Sequence, residues 1–217
     1  MEIKTTGRMG LEDKMKVEKK MGNVRCEALG YRFRSMLEHD YAQYLHYWAE
    51  RKVVKSWLYE PRVFDFAGVL KARAEACEEK AKQISRAAKG LVSAAEVKDA
   101  LERTVGWLAE ASGVRSAITD LGRVRRYVPD FQVFDPDGSH HWVECKGQLD
   151  SASVTKLIRM AELFPDERFV VVLTRFAKGK QEYRARRLRA LPTVLTVRYA
   201  QNLFRACPLK AYLRKWS

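Results

Sequence analysis

Apolar residues recur along the chain at two distinct periods. After Ser35, the residues Leu37, Tyr41, Tyr44, Leu45 and Trp48 fall at helical spacing, and Ser35-Met-Leu-Glu38 has the form of a capping box that opens a helix. Ahead of it, Val24–Ala28 and Tyr31–Arg34 read as short strands around Leu29-Gly30. After it, Val53–Tyr59 and Arg62–Phe66 read as strands parted at Pro61. The texture then changes. Lys71–Lys89 is rich in Ala, Glu and Lys and stops at Gly90. Ser93-Ala-Ala-Glu96 is a second capping box, for a helix that runs to Ala111 and stops at Gly113, with Val97, Leu101, Val105 and Leu108 as its apolar stripe. Strands resume at Arg126–Phe134 and His141–Lys146 across the turn signal Asp135-Pro-Asp-Gly138. Ser153–Phe164 predicts a helix, and Arg168–Leu173 has the continuous apolar character of a buried strand.

This order predicts an α/β chain with three parts: a flexible N-terminal arm over 1–23, a core over 24–174 interrupted by a helical hairpin at about 68–122, and a basic segment over 175–217. At 217 residues and 47% hydrophobic content the chain can bury a sizeable core. No apolar run approaches the ~20 residues that span a bilayer, and no signal-peptide core follows Met1-Glu2. Cys26, Cys77, Cys145 and Cys207 lie far apart, which fits neither a zinc ribbon nor a disulfide framework and is most simply read as a reducing cytosol.

Charge changes the picture further. The net charge is +14, and from Arg175 onward twelve Lys and Arg face the single acid Glu182. Arg184, Arg186, Arg187 and Arg189 crowd one short helical stretch, and Tyr183, Tyr199, Tyr212 and Trp216 offer rings for base stacking. The asymmetry favours a surface facing a polyanion, of which nucleic acid is the commonest, over a merely solvated basic face.

The chemistry concentrates at the hairpin Tyr127-Val-Pro-Asp130 to Glu144-Cys-Lys146-Gly. Alternation along a strand puts Glu144 and Lys146 on one face and His141, Val143 and Cys145 on the other. If Pro136–Gly138 form a three-residue loop, Asp135 faces Ser139 and Asp130 lies directly opposite Glu144. Opposed acids repel, which a purely structural hairpin would avoid. A divalent cation between them makes the arrangement tolerable, since hard cations take carboxylate, carbonyl and water oxygens. A lysine one pleat further on can steady negative charge on a phosphate or position a water.

These residues resemble the PD-(D/E)xK nuclease superfamily, here as Pro129-Asp130 followed by Glu144-Cys145-Lys146. Glu38 matches the glutamate that members commonly add from the preceding core helix. Gly30–Phe66 with Tyr127–Gly147 looks most like small phage-borne nucleases and the endonuclease subunit that cuts transposon ends. The resemblance covers about half the chain, and the helical insert and basic tail match nothing in it. It implies a restriction-endonuclease-like core, a mixed central sheet flanked by helices. It implies a Mg²⁺-dependent DNA endonuclease, with Mn²⁺ as a substitute, acting in phage or mobile-element DNA processing or recombination. Catalysis would fall to Glu38, Asp130, Glu144 and Lys146. Asp130, Glu144 and the Cys145 backbone carbonyl would hold metal, with Glu38 as a further candidate ligand. Lys156, Arg184, Arg186, Arg187 and Arg189 would contact DNA, and a homodimer or a recombination protein would be the protein partner.

Each residue also has a plainer reading. Asp130 can be a strand-end residue, Glu144 and Lys146 an exposed ladder pair, Lys156 a solvated lysine, and Glu38 only the cap partner of Ser35. His39, His46, His140 and His141 lack zinc-site spacing with the cysteines, and Cys145 reads as a buried small hydrophobe. The alternative to an enzyme is a non-catalytic DNA-binding or assembly protein that keeps the fold. Retention of both hairpin acids and the lysine favours the enzyme.

Overall fold

The computed structural model describes residues 18–20, 23–26, 29–122 and 124–206. Most of the N-terminal arm, together with Cys207, Tyr212 and Trp216, therefore lies outside the described residues. In chain order the elements are β1 (Glu18–Lys20), β2 (Asn23–Cys26), β3 (Tyr31–Phe33), α1 (Met36–Glu50), β4 (Ser56–Tyr59), β5 (Phe64–Asp65), α2 (Phe66–Ala88) and α3 (Ala94–Asp120). They continue with β6 (Arg126–Tyr127), β7 (Phe131–Phe134), β8 (His140–Lys146), α4 (Ser151–Leu163), β9 (Phe169–Leu173), α5 (Lys180–Arg189), β10 (Val194–Tyr199) and α6 (Ala200–Ala206).

The centre is a mixed five-stranded sheet in the order β10-β9-β8-β7-β4. β7 pairs antiparallel with both β4 and β8, while β8, β9 and β10 are mutually parallel. All five residues of β9 are buried, as expected for a central parallel strand covered on both faces. One face packs α1 and α6 through Tyr41, Ala42, Leu45 and Ala200 against Val133, Val143 and Val172. The other packs α2, α4, α5 and the C-terminal end of α3 through Leu70, Leu157, Leu188 and Val114 against Trp142, Phe169 and Val171. The chain is thus α/β, with a mixed sheet flanked by helices. No helix of the described residues is long and apolar enough to cross a membrane.

The inserted helical hairpin is present, with corrections to its extent. The two-residue pair β5–β6 closes its base, Phe64 opposite Tyr127 and Asp65 opposite Arg126. α3 does not stop at Gly113 but runs through Gly106 and Gly113 to Asp120. Its far end is drawn into the core by Val114 and Leu121, and that burial outweighs the roughly 1 kcal/mol cost of a helical glycine. Nor do Val97, Leu101, Val105 and Leu108 form the packed stripe. Ala100 and Ala111 face inward instead, and Leu101, Val105 and Leu108 are exposed. Alanines on both helices, with Ala74 and Ala81 from α2, allow close approach. Ion pairs between Arg73 and Glu110 (2.7 Å) and between Arg115 and Glu78 (2.6 Å) add to that seam. The Ser93 hydroxyl makes no capping bond.

The basic segment is not an appendage. Ala185, Leu188, Val194 and Val197 are core residues, and β10 pairs along β9 as the fifth strand. The sheet therefore extends well past residue 174. The expected single strand Arg126–Phe134 is two, β6 and β7, broken at Pro129-Asp130 where the hairpin site begins.

Candidate active site

The β7–β8 register places Phe131 opposite Val143, Gln132 opposite Trp142, Val133 opposite His141 and Phe134 opposite His140. The Asp135 amide donates to the Ser139 carbonyl (2.9 Å), and Gly138 closes the loop at φ +88°, a left-handed conformation suited to glycine. One step beyond Phe131 and Val143, Asp130 and Glu144 face each other, as the sequence predicts. Both are buried, at 2% and 4% exposure.

Odd residues of β8 turn their backbone groups to β7 and even ones to β9. The Trp142 amide donates to Arg168 and the Lys146 carbonyl accepts from Thr174, both flanking β9. Cys145 therefore faces β7, but that strand has ended at Phe131, so its amide finds the Asp130 Oδ2 instead (2.7 Å). The N–H and C=O of one strand residue point to the same edge, which aims the Cys145 carbonyl beside Asp130 as well. Burial and the neighbouring carboxylates raise the Cys145 thiol well above its ordinary value, so it is an inert core group.

Glu144 is fixed from both oxygens. Tyr127 donates its hydroxyl to Oε2 (2.7 Å), and the Lys146 ammonium lies 2.6 Å from Oε1. Burial alone would lower the Lys146 pKa, but the charges of Glu144 and Asp130 outweigh it and hold the ammonium above its ordinary value. Asp130 goes the other way. Burial, then the Glu144 charge, push its carboxyl up to about 8, against a smaller opposing pull from Lys146. The half-buried Lys146 ammonium thus pairs with the Glu144 carboxylate, while Asp130 keeps its proton well above the ordinary carboxylate range.

Around this pair stands a second tier. The Arg34 guanidinium reaches the Asp130 Oδ1 (3.4 Å) and pairs with Glu60. Glu60, at φ +45°, donates its amide to the Asp130 carbonyl (2.9 Å). Glu38 is buried on the first turn of α1 and closes the capping box: its amide donates to the Ser35 hydroxyl, which donates back to Oε1 (2.8 Å). Oε2 accepts from the Arg34 amide (2.9 Å), not that of Ser35, and from the Tyr59 hydroxyl (2.7 Å). The Glu38 charge still acts on Asp130, raising its pKa. The cap role and membership of the carboxylate cluster therefore coexist in part.

Asp150 N-caps α4 through the Ser153 amide (2.6 Å), and the charges of Lys146 and Lys156 both act on it. Lys156 thus lies on the side of the site lysine. The four arginines of α5 separate by role. Arg184 donates to the Leu149 carbonyl (2.7 Å), which Gln181 also brackets, so it clamps the loop after β8. Arg189 binds Glu182 (3.0 Å) and the Tyr199 hydroxyl (2.8 Å), while Arg186 makes a longer contact with Glu182 (3.7 Å). Arg186 and Arg187 are the exposed members left for an outside partner.

The sequence assigns no site role to Arg34, Tyr59 or Tyr127, although Tyr127 heads the hairpin segment. They come from three segments that meet only in the fold, and the break at Pro129 hides the proximity of Tyr127 to Glu144. Among the described residues no cluster of three or more His, Cys, Asp or Glu side chains is arranged around a metal position. The donor set is two carboxylates and a backbone carbonyl. That fits Mg²⁺, which is commonly held by one or two carboxylates and keeps several waters. Comparison with family models, curated proteins and solved structures returned no match.

Proposed function

We propose that the chain is a divalent-metal-dependent DNA endonuclease with a restriction-endonuclease-like core of the PD-(D/E)xK type. The observation that carries this reading is the buried, opposed pair Asp130 and Glu144 with Lys146 on the same strand face. Burying two facing acids costs stability unless a cation joins them. The order of α1, β4, β7, β8, α4 and β9 around that pair supports the fold, and the +14 charge supports a polyanionic substrate.

Asp130, Glu144 and the Cys145 carbonyl would hold Mg²⁺ or Mn²⁺, which supplies Lewis-acid charge to a phosphate oxygen and lowers the pKa of water. Lys146 is held charged by its two acids and donates hydrogen bonds to the attacking water or a non-bridging phosphate oxygen. The water oxygen bonds to phosphorus and gives up a proton to solvent as the bond to the leaving oxygen breaks, and that oxygen takes a proton from solvent. Tyr127 fixes the Glu144 carboxylate for this task. Arg34 and Glu38 act as positioning residues behind Asp130. Lys156, Arg186 and Arg187 are proposed to contact the DNA backbone.

The test is incubation of the protein with supercoiled, linear, nicked and four-way-junction DNA in Mg²⁺ and in EDTA. Mg²⁺-dependent cleavage of at least one substrate is expected. Binding without cleavage of any of them favours the non-catalytic assembly protein.

A further inference from the structure

On the sheet face opposite Glu144, the C-terminal half of α1 stands off the strands and leaves a cavity of about 550 Å³. That is within the size range of small-molecule sites. It lies around Asp135, five residues along the chain from Asp130, or ~17 Å at strand rise, so it is separate from the carboxylate site. An adjoining recess of about 310 Å³ shares Tyr44, Trp48 and Arg198 with it and extends it toward α6.

The lining combines three kinds of group. Tyr41, Tyr44 and Trp48 form an aromatic wall, with Tyr41 and Tyr44 stacked at 5.5 Å and Trp48 edge-on to Tyr44 at 6.1 Å. Arg198 stands at the rim. Its charge acts on Tyr41, and its side chain has no ion-pair or hydrogen-bond partner among the described residues. Across the cavity, the His141 Nδ1 lies 3.0 Å from an Asp135 carboxylate oxygen. An ionised carboxylate selects the tautomer protonated at Nδ1, which leaves Nε2 as an acceptor. A flat ring finds the wall, an N–H on its edge finds His141 or Asp135, and an anion finds Arg198.

We propose that this cavity is a binding site for a single nucleotide unit, with its base against Tyr44 and Trp48 and its phosphate on Arg198. Base stacking on aromatic rings and a guanidinium on phosphate are the two contacts that recur in nucleotide recognition. The unit can be a free mononucleotide or one residue of a single strand. Such binding does not depend on the proposed cleavage activity.

Calorimetric titration of the full chain in EDTA, so that no strand is cut, separates the cases. The probes are deoxyadenosine 5′-monophosphate, deoxyadenosine, and a 5′-phosphorylated single-stranded hexamer of deoxyadenosine. The mononucleotide, the hexamer or both should bind saturably, and Arg198→Ala should weaken that binding by about tenfold or more. Deoxyadenosine should bind wild type about as weakly as the mononucleotide binds Arg198→Ala. Thr196→Trp fills the cavity from its lining and should abolish binding while the melting curve stays cooperative. Binding of the mononucleotide identifies a free-nucleotide site, and binding of the hexamer alone identifies a strand site. If neither saturates wild type, or if whichever probe binds does so to Arg198→Ala or to Thr196→Trp as tightly as to wild type, the proposal is overturned.

Discussion

Asp130 sits beside Glu144 with the Cys145 amide on one oxygen and Arg34 at the edge of reach of the other. In the metal-free protein its raised pKa favours the protonated form in the folded state. Ionising it therefore removes stability as pH rises from the ordinary carboxylate range to about 8. Asp130→Asn removes that loss, and its amide oxygen still accepts from Cys145. Thermal melts in EDTA should show wild type losing more stability than the variant between pH 5 and pH 8.5; parallel profiles would contradict the electrostatic account. Glu38 tests differently. Three donors converge on its carboxylate, and glutamine cannot serve all of them. Glu38→Gln should cost about 1–2 kcal/mol of stability. It should also slow cleavage per folded molecule, because Arg34 loses its anchor. Unchanged cleavage would leave Glu38 as a cap alone. The opposed acids were legible in the sequence because the Asp135–Gly138 turn sets the register and alternation does the rest. The roles of Arg34 on Asp130, Tyr127 on Glu144 and Tyr59 on Glu38 were not, since no local pattern links residues 34 and 59 to the hairpin and strand alternation breaks at Pro129 before it reaches Tyr127.

At the level of elements, the helical hairpin shows where local signals mislead. Gly113 reads as a stop, yet α3 continues because its far end has core to reach. An added Cβ at Gly106 or Gly113 meets no atom within 4 Å. Gly106→Ala and Gly113→Ala should each therefore stabilise by about 0.5–1 kcal/mol. A rise of ~2–4 °C per kcal/mol in melting temperature would register it; a fall would contradict the open space around both glycines. Ser93→Ala should change stability by less than ~0.5 kcal/mol, because its hydroxyl makes no capping bond. The apolar pattern of Val97, Leu101, Val105 and Leu108 correctly marked a helix. It assigned the wrong face, since periodicity reports a stripe without saying what covers it. β10 is obscured for a related reason: the buried Val194 and Val197 lie in a segment whose composition is dominated by Arg and Lys.

Across the whole molecule, the basic excess divides between structure and surface. Arg184 should behave as a structural residue, and Arg184→Ala should lower the melting temperature because the Leu149 carbonyl loses a charged donor. Arg186 and Arg187 should behave as surface residues. Neutralising each is expected to leave melting unchanged and to reduce the salt slope of log K for DNA by ~0.9 for every phosphate no longer neutralised. An unchanged slope would mean that the exposed arginines face something other than DNA. Composition revealed the total charge and its direction along the chain, but only the fold shows which arginines are already engaged. In the proposed endonuclease, Asp130 and Glu144 together would hold the metal that DNA cleavage needs. Plasmid nicking by wild type and Asp130→Asn, matched for melting behaviour and run side by side in Mg²⁺ and in EDTA, tests this most directly. Wild type should convert supercoiled to open-circular DNA in Mg²⁺ alone, and Asp130→Asn should not do so in either condition. Nicking by wild type in EDTA, or by Asp130→Asn at the wild-type rate in Mg²⁺, would contradict the account.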